Sequence, residues 1–165
     1  MPHSFKSLLL LIWLLAAAPA VASIIGLDGE TAPDITWEDS NGTTYSLSAL
    51  RGQPVILHLW ASWCHACIIE MPELAEWSKD NQNIRFIPLS MDRELEPAYK
   101  FLTSKKLDIP ALLGESRAPS KLQLRSLPST LLIDAEGRMV GAVHGAADWS
   151  DQKFLNSLSK MLNGK

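Results

Sequence analysis

The chain has 165 residues, 15 of them Lys or Arg and 18 Asp or Glu, for a formal net charge of −3. This mild acidic balance gives no support for binding nucleic acid or an anionic membrane surface. The length is enough for one domain with a real hydrophobic core.

Met1 to Lys6 is a short start carrying one firm positive charge. Leu8 to Ala22 is apolar throughout apart from Pro19 and ends in the small-residue pattern Ala20-Val21-Ala22. Residues 1–22 therefore read as a secretory signal peptide, with cleavage expected before Ser23. Left uncleaved, the run continues through Ile24, Ile25 and Leu27 to the length of a membrane anchor. Residues 23–33 are expected as a tether and 34–165 as a single domain.

Within that domain, Ile35–Trp37 and Thr43–Ser46 flank an Asn41-Gly42 turn signal and predict a hairpin. Pro54–Trp60 is nearly continuous in apolar residues and predicts a buried central strand. A helix follows, with Cys67, Met71, Leu74 and Ala75 on its inward face. Further on come a strand at Arg85–Leu89, a helix at Glu96–Lys106 and a short strand at Ala111–Leu113. Ser120–Leu124 reads as a helical turn, and Leu131–Asp134 with Met139–Val143 as a second hairpin. A last helix runs to Leu162, capped by Ser150 or Asp151. Strands alternating with helices and closed by a hairpin predict an α/β fold with a mixed sheet.

The two cysteines, Cys64 and Cys67, sit three apart between the central strand and its helix. A pair so close would close almost no loop and gain little as a staple. As half of a zinc site it would need two further ligands, and His58, His65 and His144 offer no paired spacing. Redox chemistry fits better. Cys64 at the helix start meets unpaired N–H groups and the positive end of the dipole, which favour a thiolate. Cys67 lies nearly one turn inside. Cys64 is thus the expected attacking thiol and Cys67 the resolving one. The dipole supplies about 0.3–1 kcal/mol, up to ~2 when partly buried, so it lowers the Cys64 pKa by about one unit. A charged His65 would favour the thiolate further; the other reading of His65 is an exposed loop histidine.

Glu70, three residues after Cys67, turns to within about 60° of that cysteine's face. A partly buried carboxyl there would hold a raised pKa and could exchange a proton with Cys67. Trp63 is a candidate apolar collar beside the cysteines. On the preceding strand His58 shares a face with Ile56 and Trp60, so it is expected to approach the cysteine helix from beneath.

Four features resemble the TlpA/ResA-type thioredoxin-like proteins of the periplasm. They are Leu59-Trp60-Ala61-Ser62-Trp63-Cys64-x-x-Cys67, the continuation Cys67-x-x-Glu70-x-Pro72, the run Leu127-Pro128-Ser129-Thr130-Leu131, and a 39-residue step from Leu89 to Pro128. The resemblance implies a thioredoxin fold: a central mixed sheet flanked by helices, with an N-terminal hairpin and a central insertion. It also implies a cis Leu127–Pro128 bond opposite Cys64, where Leu127 could pair with an extended client segment. The implied activity is thiol–disulfide exchange with protein clients, as a reductant in cytochrome c maturation or copper-site assembly. A DsbD-type membrane reductase is the implied electron source, and no cofactor is expected beyond the cysteine pair. One position departs from the pattern. Where thioredoxins carry an acid and TlpA-like proteins often an Asn, this chain has His58.

Other readings remain beside this one. A disulfide oxidase or isomerase would use the same residues. A copper chaperone would use the two thiolates and a histidine, since soft thiolates suit Cu(I), though relatives of that kind usually place three residues between the cysteines. A thiol peroxidase would need a Pro-x-x-x-Thr-x-x-Cys run that is absent.

Overall fold

The computed structural model describes residues 22–164, and its order is set by one long alternation of strand and helix. Ile24–Gly26 (β1), Thr36–Asp39 (β2) and Thr44–Ser46 (β3) precede a 3-10 turn at Leu47–Leu50. Val55–Trp60 (β4) leads into His65–Asp80 (α1), Arg85–Ser90 (β5) and Leu95–Ser104 (α2). Leu112–Gly114 (β6) and Ala118–Lys121 (α3) follow, then Ser129–Ile133 (β7), Met139–His144 (β8) and Gln152–Leu162 (α4).

All eight strands form one mixed sheet in the order β1-β8-β7-β4-β5-β6-β2-β3. At its centre β4 pairs parallel with β5 and antiparallel with β7. Every residue of β4 is buried, as expected of a strand covered on both faces. Its alternation divides the core. Ile56 and Trp60 pack with Cys67, Met71 and Leu74 of α1 and with Phe154 and Leu158 of α4. Val55, Leu57 and Leu59 face the opposite layer, against Leu47, Leu122, Leu124 and Ala142. This is a thioredoxin-type fold: a mixed sheet flanked by helices, with the β2–β3 hairpin before it. β6 and α3 are inserted between α2 and β7.

The local chemistry explains the turns. In the β2–β3 hairpin, Asp39 Oδ1 accepts the N–H groups of Asn41 and Thr43, at 2.8 and 3.0 Å. Gly42 supplies the positive φ of +75° that this turn requires. α4 is capped by Asp151, whose side chain accepts the Lys153 N–H. Phe154, Leu158 and Leu162 form its buried stripe.

Residues 23–33 differ from the expected tether. Ile24–Gly26 pairs antiparallel with β8, Ile24 lying opposite Val143 and Gly26 opposite Gly141. Hydrogen bonds continue from Leu27 N to Val140 O, Gly29 N to Met139 O and Ala32 N to Gly137 O. The apolar residues that continue the leading run complete the sheet, because β8 offers them an edge. The signal segment expected over 1–22 falls outside the described residues except for Ala22. No helix among the described residues is long and apolar enough to cross a membrane.

Candidate active site

Cys64 and Cys67 are joined as a disulfide at the end of β4, where the chain turns into α1. Cys64 is the N-cap of that 16-residue helix. The Cys67 N–H donates to its Sγ at 3.3 Å, so the sulfur occupies the place an N-cap oxygen usually takes. No acidic residue lies in the first turn to oppose a negative sulfur. The two sulfurs differ in access: Cys64 keeps 9% of its surface and Cys67 none. Trp63, immediately before, is 70% exposed. His65 begins the helix and is exposed.

The Leu127–Pro128 bond is cis. Ser129, the next residue, pairs with Leu59 near the C-terminal end of β4, beside the cysteine turn, and Leu127 packs against the cluster that holds both cysteines. The Pro128 carbonyl accepts the Gly145 N–H at 2.9 Å, with Gly145 at φ +85°. The segment after β8 is thereby tied to the residue beside the cysteines.

Beneath the pair lies a buried polar cluster. His58 has no exposed surface and Glu70 keeps 3%. His58 Nδ1 lies 2.9 Å from Thr130 Oγ1 on β7, and its Nε2 lies 3.5 Å from Glu70 Oε1. Neither of those two atoms has a hydrogen-bond partner. Glu70 Oε2, by contrast, accepts the Ala147 N–H at 3.0 Å and the Trp149 indole N–H at 3.3 Å. Burial pushes Glu70 up to about 7, against the pull of those two donors, and the negative charge of Glu73 adds to the rise. Burial alone takes His58 down to about 3. Between those values the pair is an acid and a neutral imidazole.

Geometry of this kind serves dithiol–disulfide exchange: one sulfur at a helix start and reachable, a second sealed behind it, and an acid one turn further on. A family model described as the AhpC/TSA family matches residues 29–142. The chain belongs to the AhpC/TSA family. It is 31% identical over 121 residues to the thiol-disulfide oxidoreductase ResA of Bacillus subtilis, covering 72% of this chain and 68% of that one. To the thiol:disulfide interchange protein DsbE of Vibrio cholerae it is 32% identical over 135 residues, covering 76% and 71%. The thioredoxin domain of a thiol-disulfide oxidoreductase from Bacteroides vulgatus matches with a TM-score of 0.68 at 23% identity, over 82% of this chain and 97% of that one. That last likeness concerns the fold. This AhpC/TSA-family chain is therefore a thiol–disulfide oxidoreductase of the ResA/DsbE type, in line with the resemblance carried by its motifs.

Three groups in this AhpC/TSA-family oxidoreductase were not singled out by the motifs. Thr130 and Trp149 join the buried cluster from β7 and from the loop before α4. The third is Asp92, just past β5. Its Oδ2 accepts the Ser62 N–H at 3.0 Å and the Ser90 hydroxyl at 2.7 Å, and its Oδ1 accepts the Ser62 hydroxyl at 2.8 Å. Because β4 and β5 run parallel, a carboxylate past the end of β5 lies beside the turn leading to Cys64. The signal was a polar pair, Ser90 and Asp92, closing the apolar run Phe86–Leu89. Asp92→Ala leaves a backbone N–H and two hydroxyls without their acceptor, and is expected to cost about 2–4 kcal/mol. Urea denaturation measures this; a loss below about 0.5 kcal/mol would show that the Ser62–Cys64 turn holds itself.

Proposed function

We propose that this oxidoreductase works outside the cytoplasm as a reductant of protein disulfides. The attacking group is Cys64, and Cys67 resolves the mixed disulfide that forms. Glu70 takes the Cys67 proton. The observation that carries this reading is the unequal access of the two sulfurs, combined with a buried acid in the turn after Cys67.

The steps balance as follows. The Cys64 thiolate attacks a client disulfide, forming a bond to one client sulfur and releasing the other as thiolate. Cys67 passes its proton to the Glu70 carboxylate and attacks Cys64 Sγ. The Cys64–Cys67 disulfide forms, the second client thiol leaves, and two electrons have passed to the client. A DsbD-type membrane reductase restores the dithiol. Client cysteines of apocytochrome c or of copper-site proteins suit this scheme, and the leading apolar run of residues 8–22 supports export. An extended client segment docks between the exposed Trp63 ring and Leu127, whose backbone lies outside the β7 ladder and is open to strand addition.

Direction of electron flow is the decisive test. Ala66 follows His65 in the motif, unlike the Pro-His pair of strongly oxidising DsbA. The expected potential is nearer thioredoxin's, roughly −270 mV, than DsbA's, roughly −120 mV. Equilibration with glutathione buffers measures it. A value at the DsbA end would overturn the reductant reading and favour an oxidase.

A further inference from the structure

His58 and Glu70 face each other through the two atoms of the buried cluster that have no hydrogen-bond partner, Nε2 and Oε1, 3.5 Å apart. Their other atoms are already committed. Glu70 Oε2 sits under two N–H donors, so it acts only as an acceptor, and a proton on this acid belongs on Oε1. His58 Nδ1 faces the Thr130 hydroxyl, a group that either donates or accepts. The ring can therefore carry its single proton on either nitrogen without losing its second partner.

We propose that His58 is a positioning residue which changes tautomer with the protonation of Glu70. When Glu70 is ionised, Nε2–H donates to Oε1, and the Thr130 hydroxyl donates to Nδ1. When Glu70 gains one proton on Oε1, that O–H donates to Nε2. The ring proton then resides on Nδ1 and donates to Thr130. One proton is taken up and the imidazole stays neutral in both states. The carboxylate thus has a third N–H donor when charged, and the acid has an acceptor when neutral. Neither state leaves a buried polar atom unpaired, which would otherwise cost the full desolvation of that atom.

The groups facing Glu70 are few. β4 presents His58 and β7 the Thr130 hydroxyl. Its own helix presents Cys67 one turn before and Glu73 one turn after, the Glu73 carboxylate accepting the Trp149 backbone N–H at 3.2 Å. The segment after β8 presents N–H groups, while its Asp148 turns to Ser150 and Asp151. Glu73 is exposed, and its negative charge adds to the rise of Glu70 that burial creates. Through Oε2 the same carboxyl holds Ala147 and Trp149, and Gly145 of that segment holds Pro128. The proton on Glu70 is in this way linked to the backbone beside the client groove.

The inference rests on Glu70 being the acceptor of the Cys67 proton, but its first test does not. Nitrogen-15 spectra of the histidine rings in the oxidised full chain, where neither cysteine titrates, report the tautomer directly. The expected result is a change of His58 from Nδ1–H to Nε2–H as pH rises, with the same midpoint as the Glu70 carboxyl carbon. In Glu70→Gln the amide keeps its oxygen under Ala147 and Trp149 and turns its NH₂ to Nε2, so one tautomer, Nδ1–H, is expected at every pH. A single tautomer throughout in the parent protein, or an unchanged switch in Glu70→Gln, overturns the proposal. For the kinetic readout, His58→Asn is expected to move the pH midpoint of mixed-disulfide resolution upward by roughly one unit, the worth of a hydrogen bond to a charged group. The rate of initial attack by Cys64 stays as it was. An unmoved midpoint would leave His58 a packing residue.

Discussion

Cys64→Ser is expected to abolish disulfide exchange altogether, while Cys67→Ser keeps the first half of the reaction and accumulates protein held to clients through Cys64. The asymmetry follows from where β4 ends. The sulfur of Cys64 caps α1, accepts the Cys67 N–H and reaches the surface. That of Cys67 is enclosed by the cluster of Ile56, Met71 and Trp60, and a client sulfur cannot approach it in line. The capping N–H and the dipole favour the Cys64 thiolate by about 0.3–2 kcal/mol, and desolvation works against that of Cys67. Non-reducing gels and mass spectrometry on the Cys67→Ser protein, expressed with its native clients, are expected to show bands that collapse on reduction. Limiting alkylation of the reduced parent protein should label Cys64 first. Preferential labelling of Cys67 would reverse the assignment.

A second large effect is expected at Glu70. Glu70→Gln keeps the shape and both N–H contacts but removes the base, so the second step slows by roughly 10²-fold, the lower range for a positioned base. The attack by Cys64 is little changed, and the resolution rate loses its rise through about pH 7. Stopped-flow measurement of the two steps separates them; equal slowing of both would place Glu70 in the fold rather than in proton transfer.

The same variant has a signature in stability. Glu70 is raised from 4.5 to about 7 in the folded state. As pH climbs through that window the unfolded chain loses a proton that the folded one keeps, and stability falls. His58 is lowered from 6.5 to about 3. As pH drops through that window the unfolded chain gains a proton that the folded one refuses, and stability again falls. Between 4.5 and 6.5 the two slopes oppose each other and cancel. Without Glu70 only the His58 slope remains, so Glu70→Gln is expected to lose about 1.4 kcal/mol per pH unit on acidification there, relative to the parent. Parallel denaturation profiles of the two proteins across that range would contradict the Glu70 shift.

Much of this site was legible because its signals are local. An apolar strand followed at once by Cys-x-x-Cys placed both sulfurs at a helix start, and period-two alternation put His58 on the face beneath that helix. The helical repeat brought Glu70 round toward it. The rest depended on pairings far apart in sequence. Trp149 and Ala147 reach Glu70 across 79 and 77 residues, and only the closure of β7 and β8 onto β4 brings them there. Asp92 needed the parallel register of β4 and β5, which periodicity cannot supply. A three-residue strand such as β1 has no pattern of its own in a segment whose sequence predicts a tether; its partner on β8 gives it one.

That short strand also decides which way the molecule faces when it is held by an end. β8 runs parallel to β4 and finishes at His144, level with Ser129 and Leu59 beside the catalytic turn. β1 lies antiparallel to β8 and enters at Ile24, opposite Val143. Its first residues thus emerge at the rim from which Cys64 looks out. α4 leaves that rim and travels away for about 16 Å, its Met161 reaching Gly26 and Gly141 further down the sheet. A bead, affinity tag or lipid surface joined ahead of Ser23 therefore crowds the working face, and bulky partners must approach between it and the protein. One joined after Leu162 stands off on the far side and leaves that face open.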